Sequence, residues 1–250
     1  MMITGMNNNP RRRGVYLLPN LLTTGNLFAG FYAIVSGISG NFTLAAAAIF
    51  VAMVMDTLDG RVARLTNTQT LFGAQYDSLA DIVAFGLAPA LVAYSWLMYD
   101  LGKIGWSVTF LYVTTAALRL ARFNVQQGNV DRRYFIGLPS PAAAGVIASF
   151  IYFIHSMEIT GTWIAFLLAV LIALVSGLMV SNIYFYSFKE INLEGRVSFL
   201  VIWLVVLFIA AVSLDPPVTL FIVFLFYALS GPTNALRRWY LKRLKQVTNV

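Results

Sequence analysis

Apolar runs, each near the roughly 20 residues a helix needs to cross a bilayer, succeed one another along almost the entire chain. About eight spans are predicted, over residues 17–37, 43–63, 74–99, 104–123, 138–156, 161–186, 197–214 and 217–236. The residues are 59% hydrophobic and only 11% charged, a balance a soluble domain does not have. The expected fold is therefore all-α: a polytopic integral membrane protein of about eight transmembrane helices. No polar stretch is long enough for a second core. The organisation expected is a basic N-terminal segment over 1–16, one membrane domain over 17–236 and a basic C-terminal tail over 237–250.

The net charge of +7 raises a nucleic-acid partner, and its distribution argues against one. With the N-terminus inside, every Lys and Arg except Lys103 falls on the cytoplasmic side. That asymmetry is the positive-inside pattern, so the basic balance records topology and attraction to anionic head groups. Both termini are expected in the cytoplasm. The apolar run after Arg11-Arg12-Arg13 is too long for a signal-peptide core, which makes the start an uncleaved tail. Arg237 to Lys245 reads as an interfacial anchor. Cysteine is absent, which removes disulfides and thiolate chemistry.

Into this apolar background fall four of the ten acidic residues, Asp56, Asp59, Asp77 and Asp81. A carboxylate at membrane depth costs about 2.5 to 3.5 kcal/mol on insertion scales, so such residues mark ion or substrate sites. Residues three and four apart on a helix share a face, which pairs Asp56 with Asp59 and Asp77 with Asp81. Two such pairs facing each other repel unless cations lie between them, and all-oxygen ligands suit Mg2+ or Mn2+. Gly60 and Ala63 leave the adjoining surface without bulk, so a nucleotide or diphosphate can approach the backbone. Arg64 adds a phosphate-pairing guanidinium. The positive-inside map puts the cluster at the cytoplasmic ends of the second and third spans, within reach of a water-soluble substrate.

The pattern Asp56-x2-Asp59-Gly60-x2-Ala63-Arg64-x8-Gly73-x3-Asp77-x3-Asp81 resembles the signature of the CDP-alcohol phosphotransferases at all eight fixed positions and in both gaps. The resemblance implies a membrane enzyme that takes a CDP-linked substrate and releases CMP. It also implies that Asp56, Asp59 and Asp77 hold one or two divalent ions on the diphosphate, with Asp81 sharing coordination or acting as general base. Gly60, Ala63, Arg64 and Gly73 would shape the CDP pocket. Asn20, Thr23 and Asn26 in the first span are ordinary close-packing residues on one reading and line the nucleotide pocket on the other.

Further segments resemble the membrane-embedded, serine-using branch of that family: Phe85 to Ala90, Arg119 to Asn124, Gly137 to Ala144, Leu178 to Asn182 and Tyr186 to Lys189. They imply transfer of a phosphatidyl group from CDP-diacylglycerol to L-serine, forming phosphatidylserine and CMP. Arg119 and Arg122 share a face just inside the cytoplasmic boundary. Snorkelling explains either alone, and the pair suggests an anion pocket for the acceptor, with Arg133, Ser140 and Asn182 as further positions. His155 lies far from the carboxylates and is read as structural. It lacks the His-x-Lys-x4-Asp pattern of the phosphohistidine type of serine transferase. The resemblance also implies a homodimer and a bacterial-type inner membrane. Two rivals stand: the same chemistry on glycerol 3-phosphate or inositol, and a divalent cation transporter, which clustering at one boundary disfavours.

Overall fold

The computed structural model describes residues 10–66, 68–126, 134–186 and 199–248. It is a helical bundle: α1 (Pro10–Ile38), α2 (Phe42–Leu65), α3 (Leu71–Asp81), α4 (Ala88–Ala93), α5 (Lys103–Gln126), α6 (Ser140–Ser156), α7 (Thr162–Val180), α8 (Phe199–Leu214) and α9 (Pro216–Thr248). Among the described residues, six helical stretches are long and apolar enough to span: Leu17–Ile38, Phe42–Leu65, Leu71–Leu101, Lys103–Val125, Thr162–Val180 and Pro216–Arg237. Ser140–Ser156 and Ile202–Leu214 are shorter apolar helices. Together they account for the eight stretches expected from hydropathy, and the chain is a polytopic membrane protein.

The core is built on small residues, as close packing of membrane helices requires where burial of apolar surface supplies no drive between them. α6 is its centre, with Ala142 through Ile151 all buried, and it packs against α2, α7 and α9. α1 runs along α2 and crosses the third span. A Cβ built on Gly30 would stand 2.6 Å from Ala84 Cα, so this crossing is backbone on backbone. α8 touches α9 at the edge of the bundle and leaves Ile202 through Ile209 exposed, a surface suited to lipid.

Three local features depart from the sequence reading. Pro19, near the start of the span expected over 17–37, does not begin the helix. It lies inside α1, which begins at Pro10, so the missing amide is absorbed within a continuing helix. The span expected over 161–186 stops at Val180. Residues Tyr184–Tyr186 instead pair antiparallel with Tyr134–Ile136, Phe135 opposite Phe185. Aromatic residues favour an extended, half-buried ribbon, and the partner strand is remote in sequence, so hydropathy alone extends the helix. The third span is not one regular helix either. After Asp81 it passes through a π-helical turn at Ile82–Leu87, resumes as α4 and makes a second π-turn at Tyr94–Met98.

Candidate active site

α2 and α3, joined by residues 66–70 and both packed on α1, bring the two aspartate pairs to the same end of the bundle. Thr70 caps α3, its hydroxyl oxygen accepting the Gly73 amide at 2.9 Å, and thereby fixes where the second pair begins. One carboxylate oxygen from each of Asp56, Asp59 and Asp77 lies within 4.8 Å of the others. Three oxygen donors that close, with no thiolate or imidazole among them, are the set a hard divalent ion takes. Asp81 is outside this triad but near enough to feel all three charges. Its Oδ1 accepts from Asn26 Nδ2 at 3.1 Å.

α1 supplies the third wall. The Thr23 hydroxyl lies 2.8 Å from Asp59 Oδ2 and 3.1 Å from the Pro19 carbonyl, and Asp59 itself is only 4% exposed. Asn20 Oδ1 stands 3.4 Å from the point a Cβ on Gly73 would occupy. Asn26 is fully buried, and its carbonyl oxygen has no protein partner. A buried acceptor left open beside Asp81 matches a polar guest better than an apolar core. Two contacts that sequence reasoning missed tie the walls together. The Thr24 hydroxyl donates to the Asn20 carbonyl at 2.8 Å and so receives the Tyr76 hydroxyl at 2.9 Å. Asn124 Nδ2 donates to Ser78 Oγ at 3.0 Å, joining α3 to the end of α5.

The two signature glycines have different surroundings. A Cβ on Gly73 would press on Thr70 Oγ1 at 3.1 Å, so this glycine protects the cap. A Cβ on Gly60 would meet nothing within 4 Å. No protein packing requires glycine there, and the space it leaves fits an approaching ligand. Gly60→Ala is therefore expected to raise thermal stability slightly, since alanine is favoured over glycine in a helix by about 1 kcal/mol. The same variant should raise the KM for the CDP-linked substrate that the resemblance implies by about tenfold or more. An unchanged KM in detergent assays would show that no ligand approaches this face. Ala63 is half-buried, and Arg64 is exposed in the last turn of α2, where a cation also offsets the negative helix end.

On the far side of Asp81 the two α5 arginines diverge. Arg119 is 8% exposed, donates Nε to the Leu138 carbonyl, and lies within electrostatic range of Asp81 and Tyr227. Arg122 reaches the end of α7, with Nη2 donating to Asn182 Oδ1 at 2.7 Å. Ser140 is buried at the first turn of α6. Arg133 lies outside the described residues. Tyr227, on α9, packs its ring on Phe185 with centroids 6.0 Å apart. Nothing in its own stretch of sequence signals that position. His155 sits edge-on to Phe42 at 5.6 Å.

A membrane bundle with a carboxylate triad beside a fourth, separately held carboxylate and a buried arginine places a charged site inside a lipid-spanning fold. The chain belongs to the CDP-alcohol phosphatidyltransferase family, whose model matches residues 16–175. It is 36% identical, over 94% of its length and 96% of the other, to a CDP-diacylglycerol–serine O-phosphatidyltransferase from Helicobacter pylori. A protein of the same description from Bacillus subtilis is 38% identical over 69% of this chain and 92% of its own. An archaetidylserine synthase from Methanothermobacter thermautotrophicus is 37% identical over 71% of this chain and 73% of its own.

Proposed function

We propose that this chain is a membrane-embedded phosphatidylserine synthase whose nucleotide side is the Asp56–Asp59–Asp77 triad and whose acceptor side is centred on Asp81 and Arg119. It transfers the phosphatidyl group of CDP-diacylglycerol to L-serine and releases CMP. The single observation that supports this most is the likeness to serine-using transferases along nearly the full length of both chains.

Asp56, Asp59 and Asp77 are the residues that would hold Mg2+ or Mn2+. Bound there, such an ion neutralises charge on the diphosphate oxygens. Gly60 and Ala63 let the diphosphate lie against α2, and Arg64 pairs with phosphate at its exposed edge. Thr23 holds Asp59 in its ligating orientation. Asp81, oriented by Asn26, takes the proton from the serine hydroxyl as that oxygen attacks phosphorus. The phosphorus–oxygen bond to CMP breaks on the opposite side, and CMP leaves with the bonding electrons. Arg119, its Nε fixed by the Leu138 carbonyl, directs its remaining amino groups at the serine carboxylate.

Purified protein given CDP-diacylglycerol, Mg2+ or Mn2+, and serine beside glycerol 3-phosphate and inositol should yield phosphatidylserine and CMP. A product carrying either of the other alcohols would overturn the acceptor. The arginine and lysine asymmetry supports a site facing the cytoplasm. A cysteine placed at Asn249 of this cysteine-free chain should then resist impermeant thiol reagents in intact cells, and labelling from outside would reverse the orientation.

A further inference from the structure

The segment Phe85-Gly86-Leu87-Ala88-Pro89-Ala90 has no part in the chemistry above, yet it begins four residues after the proposed base. In an α-helix the amide of residue 89 would bond the carbonyl of residue 85. Proline has no amide hydrogen to give, so the Phe85 carbonyl loses that partner inside a fully buried stretch. The chain answers with a side chain from another helix. Tyr112 on α5 is 0% exposed, and its hydroxyl donates to the Phe85 carbonyl at 2.9 Å.

The π-turn that holds this carbonyl has a geometric effect on Asp81. An extra residue in a helix turns its two halves relative to each other by about 100°, since 3.6 residues make a full turn. The inner half, Ala88–Ala93, is clamped: Ala88, Pro89, Ala90, Val92 and Ala93 are buried, and a Cβ on Gly37 of α1 would stand 3.3 Å from Val92 Cα. The outer half contains Asp77 and Asp81. If the turn relaxed to regular α-helix with the inner half clamped, Asp77 and Asp81 would swing away from Asn26 and from Asp56 and Asp59. π-turns are found preferentially at functional sites, and here one separates the packed half of a span from its chemical half.

We propose that Tyr112 is a positioning residue for the reaction: by supplying the hydrogen bond that Pro89 cannot, it holds the π-turn that aims Asp81 at the acceptor hydroxyl. This rests on Asp81 as the base, and the test separates the two ideas. Tyr112→Phe keeps the ring and removes only the hydroxyl. It should lower kcat by about tenfold, and Mn2+ affinity should fall with it, because Asp77 lies on the same half of the span as Asp81. In a Pro89→Ala background, where an amide is again available to Phe85, the same substitution should lower kcat less than about twofold. Because the effect is read as a ratio within each background, any effect of Pro89→Ala itself cancels. An equal loss in both backgrounds, an unchanged kcat with Pro89 present, or a loss of kcat with Mn2+ affinity untouched would each overturn the proposal. If Tyr112→Phe does not fold, Pro89→Ala/Tyr112→Phe folding and turning over like Pro89→Ala alone would still support it, and a double variant as impaired as the single would refute it. Failure of Asp81 as base would show separately, as turnover surviving in Asp81→Asn.

Discussion

Asp77→Asn is expected to abolish turnover and Mn2+ binding together, whereas Asp81→Asn should abolish turnover and leave Mn2+ binding largely intact. The geometry makes the distinction. Asp77 offers one of three oxygens within 4.8 Å, while Asp81 stands outside that set on an amide hydrogen bond from Asn26. An amide in place of a ligating carboxylate removes a full charge from the set, and loss of one such electrostatic stabiliser costs about 10^2- to 10^3-fold in rate. Removing a general base costs about 10^2- to 10^4-fold without touching the ion's ligands. Asp56→Asn and Asp59→Asn belong with Asp77→Asn. Mn2+ titration of the purified variants, set beside CMP release, measures both effects. Equal loss of Mn2+ affinity in all four would make Asp81 a ligand and leave the base unassigned, and activity in the parent enzyme after full chelation would remove the metal from the mechanism.

The second large effect concerns the acceptor. Arg119→Lys should raise the KM for serine by about 10- to 100-fold, the range expected when a charge-assisted bidentate contact is lost. The KM for CDP-diacylglycerol should stay near the parent value. Lysine keeps the charge and loses the fork, and it also leaves the Leu138 carbonyl without the Nε donor that now orients the side chain. Arg122→Lys should have a smaller effect, because Arg122 already bonds Asn182 and acts through the junction of α5 with α7. Ethanolamine, lacking the carboxylate, should be a poor acceptor, rejected by a factor on the order of 10^4 where buried donors are left unpaired. Ethanolamine reacting as well as serine, or an unchanged serine KM in Arg119→Lys, would move the acceptor pocket elsewhere.

The helix count and the two same-face aspartate pairs were legible in the sequence because both rest on short-range patterns, whereas the grouping of Asp56, Asp59 and Asp77 came from the family resemblance. Hydropathy over some twenty residues finds a span, and spacings of three and four find a shared helix face. What escaped depends on partners far apart in the chain. Tyr184 to Tyr186 reads as the end of a helix until Tyr134 to Ile136 is placed beside it. Tyr227 reads as one aromatic among many until α9 docks against Phe185 near Arg119. The two arginines of α5 look equivalent by spacing, and only the packing of Leu138 and Asn182 around them makes one buried and the other a brace. A π-turn leaves no mark in periodicity, although Pro89 within an apolar run was a sign that one carbonyl would need outside help.

The triad and the acceptor side also differ in when they come into existence. Asp56, Asp59 and Asp77 lie on two helices joined by a short turn, so the loop to be closed is small and its entropic cost low. The surroundings of Arg119 draw on α3, α5, the start of α6 and α9, the helix nearest the C-terminus. A chain made and inserted from its N-terminus therefore has the proposed cation-binding residues early in synthesis, while the proposed acceptor wall waits for α9. For that interval, on the roles proposed above, the nascent protein would be able to hold a nucleotide diphosphate before it could choose what receives the lipid.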